Sequence, residues 1–254
     1  MRNLAYFLLL VLFVSSCVTK KELVYLQNDN LKKNIPTEYQ SNFTAYQLQP
    51  NDVLSIKVLS VDPDMSNMFN IVNPNNAFGV SDPGSMYISG YTLDAEGFIT
   101  LPIIGKLKVL GLTTAQTQEL IQKNLNRYIT DATVISKLLS FKISVLGDVK
   151  MPGHFYIYNE RANILEGLSM AGDLTQAASR QNLKLIRQKG NQSEVILLDL
   201  RDPNLVQSQY YYLMPNDVIY VEPRTKQLKR DNLVVVSTVL GVISTGALLY
   251  NLFK

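Results

Sequence analysis

Apolar residues form two long runs, one near each end of the chain, with a mixed body between them. Residues 4–14 are an unbroken apolar run of eleven residues, whereas a helix needs about 20 residues to cross a bilayer. Residues 233–253 are a run of 21 residues without a charged side chain. A helix of this length extends about 31 Å, close to the hydrocarbon thickness. The pattern therefore predicts a cleaved signal over residues 1–16 and a membrane helix over residues 231–254.

The residues around the first run are typical of a bacterial lipoprotein signal. Arg2 supplies a positive charge before the run, and residues 14–17 (Val-Ser-Ser-Cys) resemble a lipobox. We predict that the signal is cut before Cys17 and that acyl chains such as palmitate are attached to its thiol. A free, buried Cys after an ordinary signal is the alternative. Val18 and Thr19 follow, and the lack of an Asp next to Cys17 favours delivery to the outer membrane.

Small residues recur at a four-residue spacing within the C-terminal run. Ser237, Gly241 and Thr245 fall on one side of a helix, and small side chains let helices approach closely in lipid. We predict that the helix packs against copies of itself through these residues. The alternative is a single anchor surrounded by lipid.

The charges before this run conflict with the lipoprotein signal. The positive-inside rule would place a basic cluster, and the body attached to it, in the cytoplasm, whereas the lipobox places the body outside. Insertion of the helix into the outer membrane after export resolves the conflict. The cluster consists of Arg224, Lys226, Lys229 and Arg230.

A sequence repeat occurs once in each half of the body. Residues 46–56 and 211–221 share a Tyr, a Leu and the run Pro-Asn-Asp-Val at matching positions. Pro fixes φ, and Asn and Asp bond their own backbone, so each copy predicts a tight turn into a strand. Asp52 and Asp217 are interpreted as turn carboxylates, with paired acid/base groups as the alternative.

The rest of the body predicts a mixture of helices and strands after a polar tether over residues 17–40. Thr113 and Thr114 can cap a helix that runs to about Tyr128, and a second helix over 164–171 ends at Gly172. Residues 62–90 are rich in Asn, Pro, Gly, Ser and Met and predict a long excursion. Strand-like stretches occur at residues 132–145, 183–187 and 195–200.

Tyr210, Tyr211 and Tyr212 are predicted to start the last hairpin. Alternating Tyr residues in a strand are typical of amphipathic cover, and a platform for stacking sugar rings is the alternative. His154 follows a Pro-Gly turn and has no nucleophile beside it in the sequence, so we predict a surface position on a strand.

Composition removes several classes of chemistry. With 254 residues, 46% of them hydrophobic, the chain can form one large domain or two small ones. One Cys and one His exclude an intrachain disulfide and a Cys/His zinc site. The net charge of +3 is too small to indicate nucleic-acid binding. The chain has no nucleophile elbow or Walker loop, and nothing selects a catalytic carboxylate pair. We predict no catalytic residue, metal or cofactor.

A set of motifs follows in a fixed order along the chain: Cys17, Tyr46–Ile56, Gly97–Gly105, Leu112-Thr113, Gly147–Phe155, Ala171–Thr175, Leu183–Arg187 and Pro215–Val221. This order resembles the outer-membrane polysaccharide export lipoproteins, the Wza-like family. The resemblance implies an α+β fold with a polysaccharide export sequence domain over residues 41–140. It also implies a soluble-ligand-binding β-grasp (SLBB) domain over residues 141–225, followed by the C-terminal membrane helix.

The resemblance implies a ring-shaped homo-oligomer that exports capsular or exopolysaccharide across the outer membrane, with the C-terminal helices lining a pore. It also implies an inner-membrane partner, a polysaccharide co-polymerase with a tyrosine autokinase, and it implies no enzyme activity. The final helix is more uniformly apolar than a water-lined helix should be. The alternative function is therefore a periplasm-facing glycan-binding or scaffolding lipoprotein whose tail only anchors it. No sugar-contacting residue is predicted.

Overall fold

The computed structural model describes most of the body and part of the C-terminal run. Cys17 and the predicted signal over residues 1–16 lie outside the described part of the chain, so both stay predictions. The described residues are 22–28, 32–70, 89–190, 192–224, 237–246 and 248–250.

The first unit of the body is built on a three-stranded antiparallel sheet with the strand order β2-β1-β5. Buried and exposed residues alternate along β1 and β5, so one face of the sheet packs on a buried cluster that contains Leu54, Ile56 and Val134. Helix α2 covers this cluster with Ile121 and Leu125, neither of which is exposed. The elements are β1 (Val53–Ser60), α1 (Pro63–Asn67), β2 (Tyr91–Thr92), β3 (Phe98–Leu101), β4 (Gly105–Lys108), α2 (Thr114–Leu125) and β5 (Ala132–Leu138).

Helix α2 also covers the free edge of β5. The Gln122 side chain accepts a hydrogen bond from the Val134 N–H (2.8 Å) and donates one to the Ala132 carbonyl (2.8 Å). The Gln118 side chain accepts from the Ser136 N–H at 3.1 Å. Because these amides satisfy backbone groups that a further strand would use, the sheet does not extend beyond β5.

The second unit is a five-stranded mixed sheet with the order β7-β6-β10-β8-β9. The central strand β10 runs parallel to β6 and antiparallel to β8. One face packs on a core that includes Ile143, Leu185 and Ile219, with helix α3 across it. The elements are β6 (Lys142–Gly147), β7 (Gly153–Tyr156), α3 (Ile164–Met170), β8 (Ala178–Lys189), β9 (Gln192–Leu198), a 3-10 helix (Pro203–Gln207) and β10 (Val218–Pro223).

The mixed α/β fold class is confirmed, and several local predictions hold. The Thr113 hydroxyl accepts from the Gln116 N–H, and the Gln116 side chain accepts from the Thr113 N–H, so α2 begins with a capping box. Gly172, with φ of 71°, follows α3 as predicted. Residues 132–145 divide into β5 and β6. The domain limits at 41–140 and 141–225 stay a prediction.

The predicted last hairpin is wrong. Strand β10 pairs with β6 and β8, and before the turn the Tyr triplet contributes only an isolated bridge between Asn163 and Tyr212. The predicted excursion over residues 62–90 contains the short helix α1, which Asp62 caps by accepting from the Asp64 and Met65 N–H groups. Residues 71–88 of that excursion lie outside the described chain.

The C-terminal run is helical where it is described, at residues 237–246 and 248–250. Within the described parts of the chain, no helix has both the length and the apolar character that crossing a membrane requires. The predicted membrane helix over residues 231–254 is therefore not supported by them. Residues 231–236, 247 and 251–254 of that range lie outside the described residues.

Candidate functional site at the junction of the two units

The two Pro-Asn-Asp turns have the same geometry. Asn51 and Asn216 adopt left-handed conformations, with φ of 71° and 66°, which Asn tolerates better than most residues. In each turn the Asp carboxylate accepts the N–H of the residue three positions earlier, at 2.8 Å in both copies. The interpretation as turn carboxylates is therefore confirmed.

The first turn is held by neutral partners. The Tyr46 hydroxyl donates to one Asp52 carboxylate oxygen at 2.9 Å, and the Ser140 hydroxyl donates to the other at 3.0 Å. The Ser140 oxygen also accepts from the Val53 N–H at 3.1 Å. Ser140 lies between β5 and β6, so this network fixes the start of β1 to the connection between the units. Burial raises the pKa of the Asp52 carboxyl, against the effect of its hydrogen bonds.

The second turn is held by a buried ion pair. Arg187 donates through Nε to one Asp217 oxygen at 3.0 Å and through Nη2 to the other at 2.7 Å. The same Nη2 donates to the Tyr212 carbonyl at 2.8 Å. Asp217 has no exposed surface, and burial raises the pKa of its carboxyl against the opposing effect of Arg187. The alternation Leu183, Leu185, Arg187 places the arginine on the core face, a signal that sequence reasoning missed.

Part of the predicted tether lies against the second unit. The Leu26 N–H donates to the Leu200 carbonyl at 2.9 Å, and the Tyr25 hydroxyl donates to Asp173 at 2.6 Å. The Tyr25 and Leu26 side chains pack against the second core. Residues 22–28 therefore form an ordered strap, which no periodicity in the sequence predicted.

A second segment before β1 contacts the Tyr triplet at the junction. The Ser41 and Tyr212 hydroxyls lie 2.9 Å apart, and the rings of Phe43 and Tyr212 meet edge to face with their centres 5.2 Å apart. Tyr210 and Tyr211 pack against the second core. The triplet thus joins residues 41–43 to the second unit.

A cleft of about 220 Å³ lies between the two units. Its polar side is formed by the first turn of α2, Thr113 to Ala115, and by Glu160 and Arg161. The Arg161 guanidinium lies over the Phe43 ring, 4.8 Å from its centre. The cleft is lined by Phe43, Thr44, Ala45, Tyr46, Thr113, Thr114, Ala115, Leu138, Phe141, Glu160, Arg161, Leu213 and Met214.

Comparison with known proteins accounts for the first of these units. Residues 40–138 match the family described as polysaccharide biosynthesis/export protein. These residues form a domain similar to that family. The export domain so matched contains the Asp52 turn and helix α2, whereas Asp217, Arg187 and the second sheet lie beyond it.

Two curated relatives extend the similarity past the export domain. The EPS I polysaccharide export outer membrane protein EpsA of Ralstonia solanacearum is 26% identical over 203 residues, which is 78% of this chain and 53% of the relative. EpsA of Ralstonia nicotianae is 26% identical over 207 residues, with the same two shares. The chain thus spans about half the length of the curated relatives it matches.

The predicted helix-packing residues lie on an exposed part of the helix. Apart from the backbone of its own helix, no heavy atom of the described residues lies within 4 Å of the position that a Cβ would take at Gly241. The Ser244 and Thr245 hydroxyls donate to the Gly241 carbonyl at 3.0 and 2.8 Å, so these two polar side chains are satisfied by their own helix. Packing of copies through Ser237, Gly241 and Thr245 stays a prediction.

His154 is not part of a metal site within the described residues. His154 is exposed on the edge strand β7, as predicted, and its Nδ1 lies 2.9 Å from the Ser144 hydroxyl. Across the described residues, no group of His, Cys, Asp or Glu side chains is placed to hold a metal ion.

Proposed function

We propose that the protein is an outer-membrane lipoprotein whose copies form a ring that exports capsular or exopolysaccharide. The match of residues 40–138 to the export family supports this proposal. Further support comes from the two relatives named as polysaccharide export outer membrane proteins. The inner-membrane co-polymerase with a tyrosine autokinase belongs to the same proposal as the partner from which the ring receives the glycan.

The observation that carries the proposed attachment to the membrane is that the first and last described segments of the body meet at one end of the second unit. Glu22, at the start of the strap, forms an ion pair with Arg224, the last residue described before the C-terminal run, at 3.3 Å. Cys17 is five residues before Glu22, a reach of at most about 18 Å, and residue 233 is nine residues after Arg224, a reach of at most about 32 Å. The acyl chains and the C-terminal run can therefore enter one membrane from the same end of the second unit.

The strap also supports an orientation for the ring. Residues 26 and 27 bond to Leu200 and Arg201 of the second unit, and residues 41–43 contact Gln207 and Tyr212 at the junction. These contacts support an arrangement in which the export domain lies on the side away from the two ends. We propose that the export domain hangs into the periplasm and that the second unit lies next to the membrane.

We further propose that the second unit is the SLBB β-grasp domain. Its first and last strands, β6 and β10, are parallel neighbours at the centre of the sheet, and α3 follows the second strand. This arrangement, with one antiparallel hairpin on each side, is that of a β-grasp fold.

One observation favours the alternative, a glycan-binding or scaffolding lipoprotein whose tail only anchors it. The Ser244 and Thr245 hydroxyls bond to the carbonyl of Gly241. A helix that turns its hydroxyls to its own backbone presents fewer polar groups to a water-filled pore.

Truncation after Asn232 separates the two functions. The truncated protein is tested in a strain that lacks the native gene. If the tail forms a channel, polysaccharide release should be lost; if the tail is an anchor redundant with the acyl chains, release should be normal.

Gly241→Leu is the finer test, because Leu keeps the helix apolar but fills the space that the small residue leaves between copies. We expect weaker rings by native electrophoresis in detergent and reduced release. Val242→Leu on the same helix is the matched control and should leave both unchanged.

Acylation is tested separately. Cys17→Ala should leave an uncleaved precursor that incorporates no labelled palmitate, because the thiol is the acceptor and two or three chains are needed for firm attachment. Mass spectrometry of the purified protein measures both changes. Normal cleavage and labelling of the variant would contradict the lipoprotein prediction.

A further inference from the structure

We infer that the cleft at the junction of the two units binds a carboxylated sugar residue of the exported polysaccharide. This inference rests on the proposed function, which makes a polysaccharide available, and it assigns to the chain a ligand site. The binding groups come from α2, from the loop that precedes α3 and from the segment that precedes β1.

The first element of the site is the N-terminal turn of α2, a helix of twelve residues. Its capping box satisfies the Gln116 N–H, while the N–H groups of Thr114 and Ala115 have no partner among the described residues. The first N–H groups of a helix are free donors and carry partial positive charge. They are therefore suited to a carboxylate.

The second element is an unused hydroxyl at the same place. Thr114 lines the cleft and is only 8% exposed. Its hydroxyl has no hydrogen-bond partner among the described residues, and its oxygen is not one of the fully enclosed polar atoms. The hydroxyl of this largely buried side chain therefore opens into the cleft, where a ligand or solvent can supply the partner that buried polar groups normally have.

The third element is a cation at the mouth of the cleft. Arg161 lies over the Phe43 ring, 4.8 Å from its centre, which holds the guanidinium in place. The ion pairs found in the described residues do not include Arg161. Its donors are therefore available to a carboxylate, which a guanidinium can bind in a bidentate manner.

The remaining lining favours a sugar over a small inorganic anion. Phe43, which is partly exposed, offers aromatic surface to the apolar face of a ring, and Glu160 can accept from sugar hydroxyls. Glu160 would repel a small inorganic anion, whereas it can accept hydrogen bonds from the hydroxyls of a ligand that also carries a carboxylate. The volume of about 220 Å³ is below the roughly 300–1,000 Å³ of pockets for drug-sized ligands, which suits one sugar residue of a chain.

The test is calorimetric titration of the full chain in detergent at low salt with trigalacturonate and with its fully methyl-esterified form. We expect the ester to bind at least about tenfold more weakly, as for the loss of a charge-assisted hydrogen bond. Arg161→Ala should weaken trigalacturonate binding at least about tenfold, and Thr114→Val about threefold to tenfold. Arg127→Ala, which removes an exposed arginine beyond the other end of α2, is the matched control and should bind as the wild type does.

Three results would overturn the inference. The ester could bind as well as the acid, Arg161→Ala could match Arg127→Ala, or acetate could displace trigalacturonate at equal concentration, which would indicate a small-anion site only. Glu160→Gln should strengthen binding of the acid, because the like charge is removed and an oxygen acceptor remains. Weaker binding by that variant would contradict the arrangement.

The failure of this inference is distinguishable from failure of the proposed function. If the wild type does not bind trigalacturonate but deletion of the gene stops polysaccharide release, the site is overturned and the export proposal stands. If the wild type binds but deletion leaves release unchanged, the export proposal is overturned and the cleft remains only a binding site for carboxylated sugars.

Discussion

Replacement of Asp217 by Asn is expected to lower the free energy of unfolding by about 3–5 kcal/mol, the usual cost of removing one partner from a buried ion pair. The carboxylate receives hydrogen bonds from Arg187 Nε, Arg187 Nη2 and the Met214 N–H. All three groups are hydrogen-bond donors. In the Asp217→Asn variant one carboxylate oxygen would be replaced by an NH₂ group, itself a donor, which would face at least one of them without an acceptor. Urea denaturation of the full chain in detergent measures the change.

Asp52→Asn is the matched control, because the same turn is held there by hydroxyls. Tyr46 and Ser140 can accept as well as donate, so the Asn amide finds partners on both sides. We expect a change within about 1 kcal/mol. A loss for Asp52→Asn as large as that for Asp217→Asn would contradict the role assigned to the ion pair.

The stability of Asp52→Asn relative to the wild type should change with pH in a defined direction. Burial raises the pKa of Asp52 above its ordinary value of 3.8, so the folded state holds its proton more tightly than the unfolded state. The contribution of Asp52 to stability is therefore present below pH 3.8 and is lost as the pH rises through the folded pKa. Asp52→Asn removes this contribution, and its stability relative to the wild type should improve over that interval.

A double variant isolates the pair itself. Arg187→Met together with Asp217→Asn removes the donors that oppose the amide, so the double variant should be more stable than Asp217→Asn alone. The difference between the double variant and the sum of the single variants gives the coupling energy of the pair. If the changes in unfolding free energy of the two single variants simply add in the double variant, Arg187 is not the cause of the stability loss in Asp217→Asn.

Gly147→Ala is expected to lower the free energy of unfolding by about 4 kcal/mol, because backbone strain and a steric clash act together. Gly147 ends β6 with φ of 88°, and a Cβ there would lie 2.1 Å from the Val221 carbonyl oxygen. That oxygen belongs to β10 and accepts from the Asp148 N–H at 3.0 Å. The substitution therefore forces apart the parallel pair at the centre of the sheet.

Gly105→Ala separates strain from clash. Its φ of 84° is nearly the same, but no heavy atom lies within 4 Å of the added Cβ. We expect only the conformational cost, about 1–2 kcal/mol, in the same denaturation measurement. Equal losses at Gly105 and Gly147 would show that the Val221 contact is not what makes Gly147 necessary.

Features that depend on neighbouring residues were predictable from the sequence. The Pro-Asn-Asp turns, the cap at Thr113 and the glycine after α3 each involve side chains and backbone groups within a few positions, so the pattern fixes them locally. The buried face of α2 follows from the 3.6-residue period. The order of motifs along the chain was enough to indicate the export family.

The tertiary structure decided the pairings between distant residues. Asp52 and Asp217 occupy identical turns, yet one faces Ser140, 88 positions away, and the other faces Arg187, 30 positions away. No local rule selects those partners, because they depend on which strands become neighbours. The insertion of β10 between β6 and β8, the course of the strap and the cleft between the units arise in the same way. The sequence by itself therefore determined the turns, caps and buried faces, while only the packed sheets decided what each turn carboxylate touches.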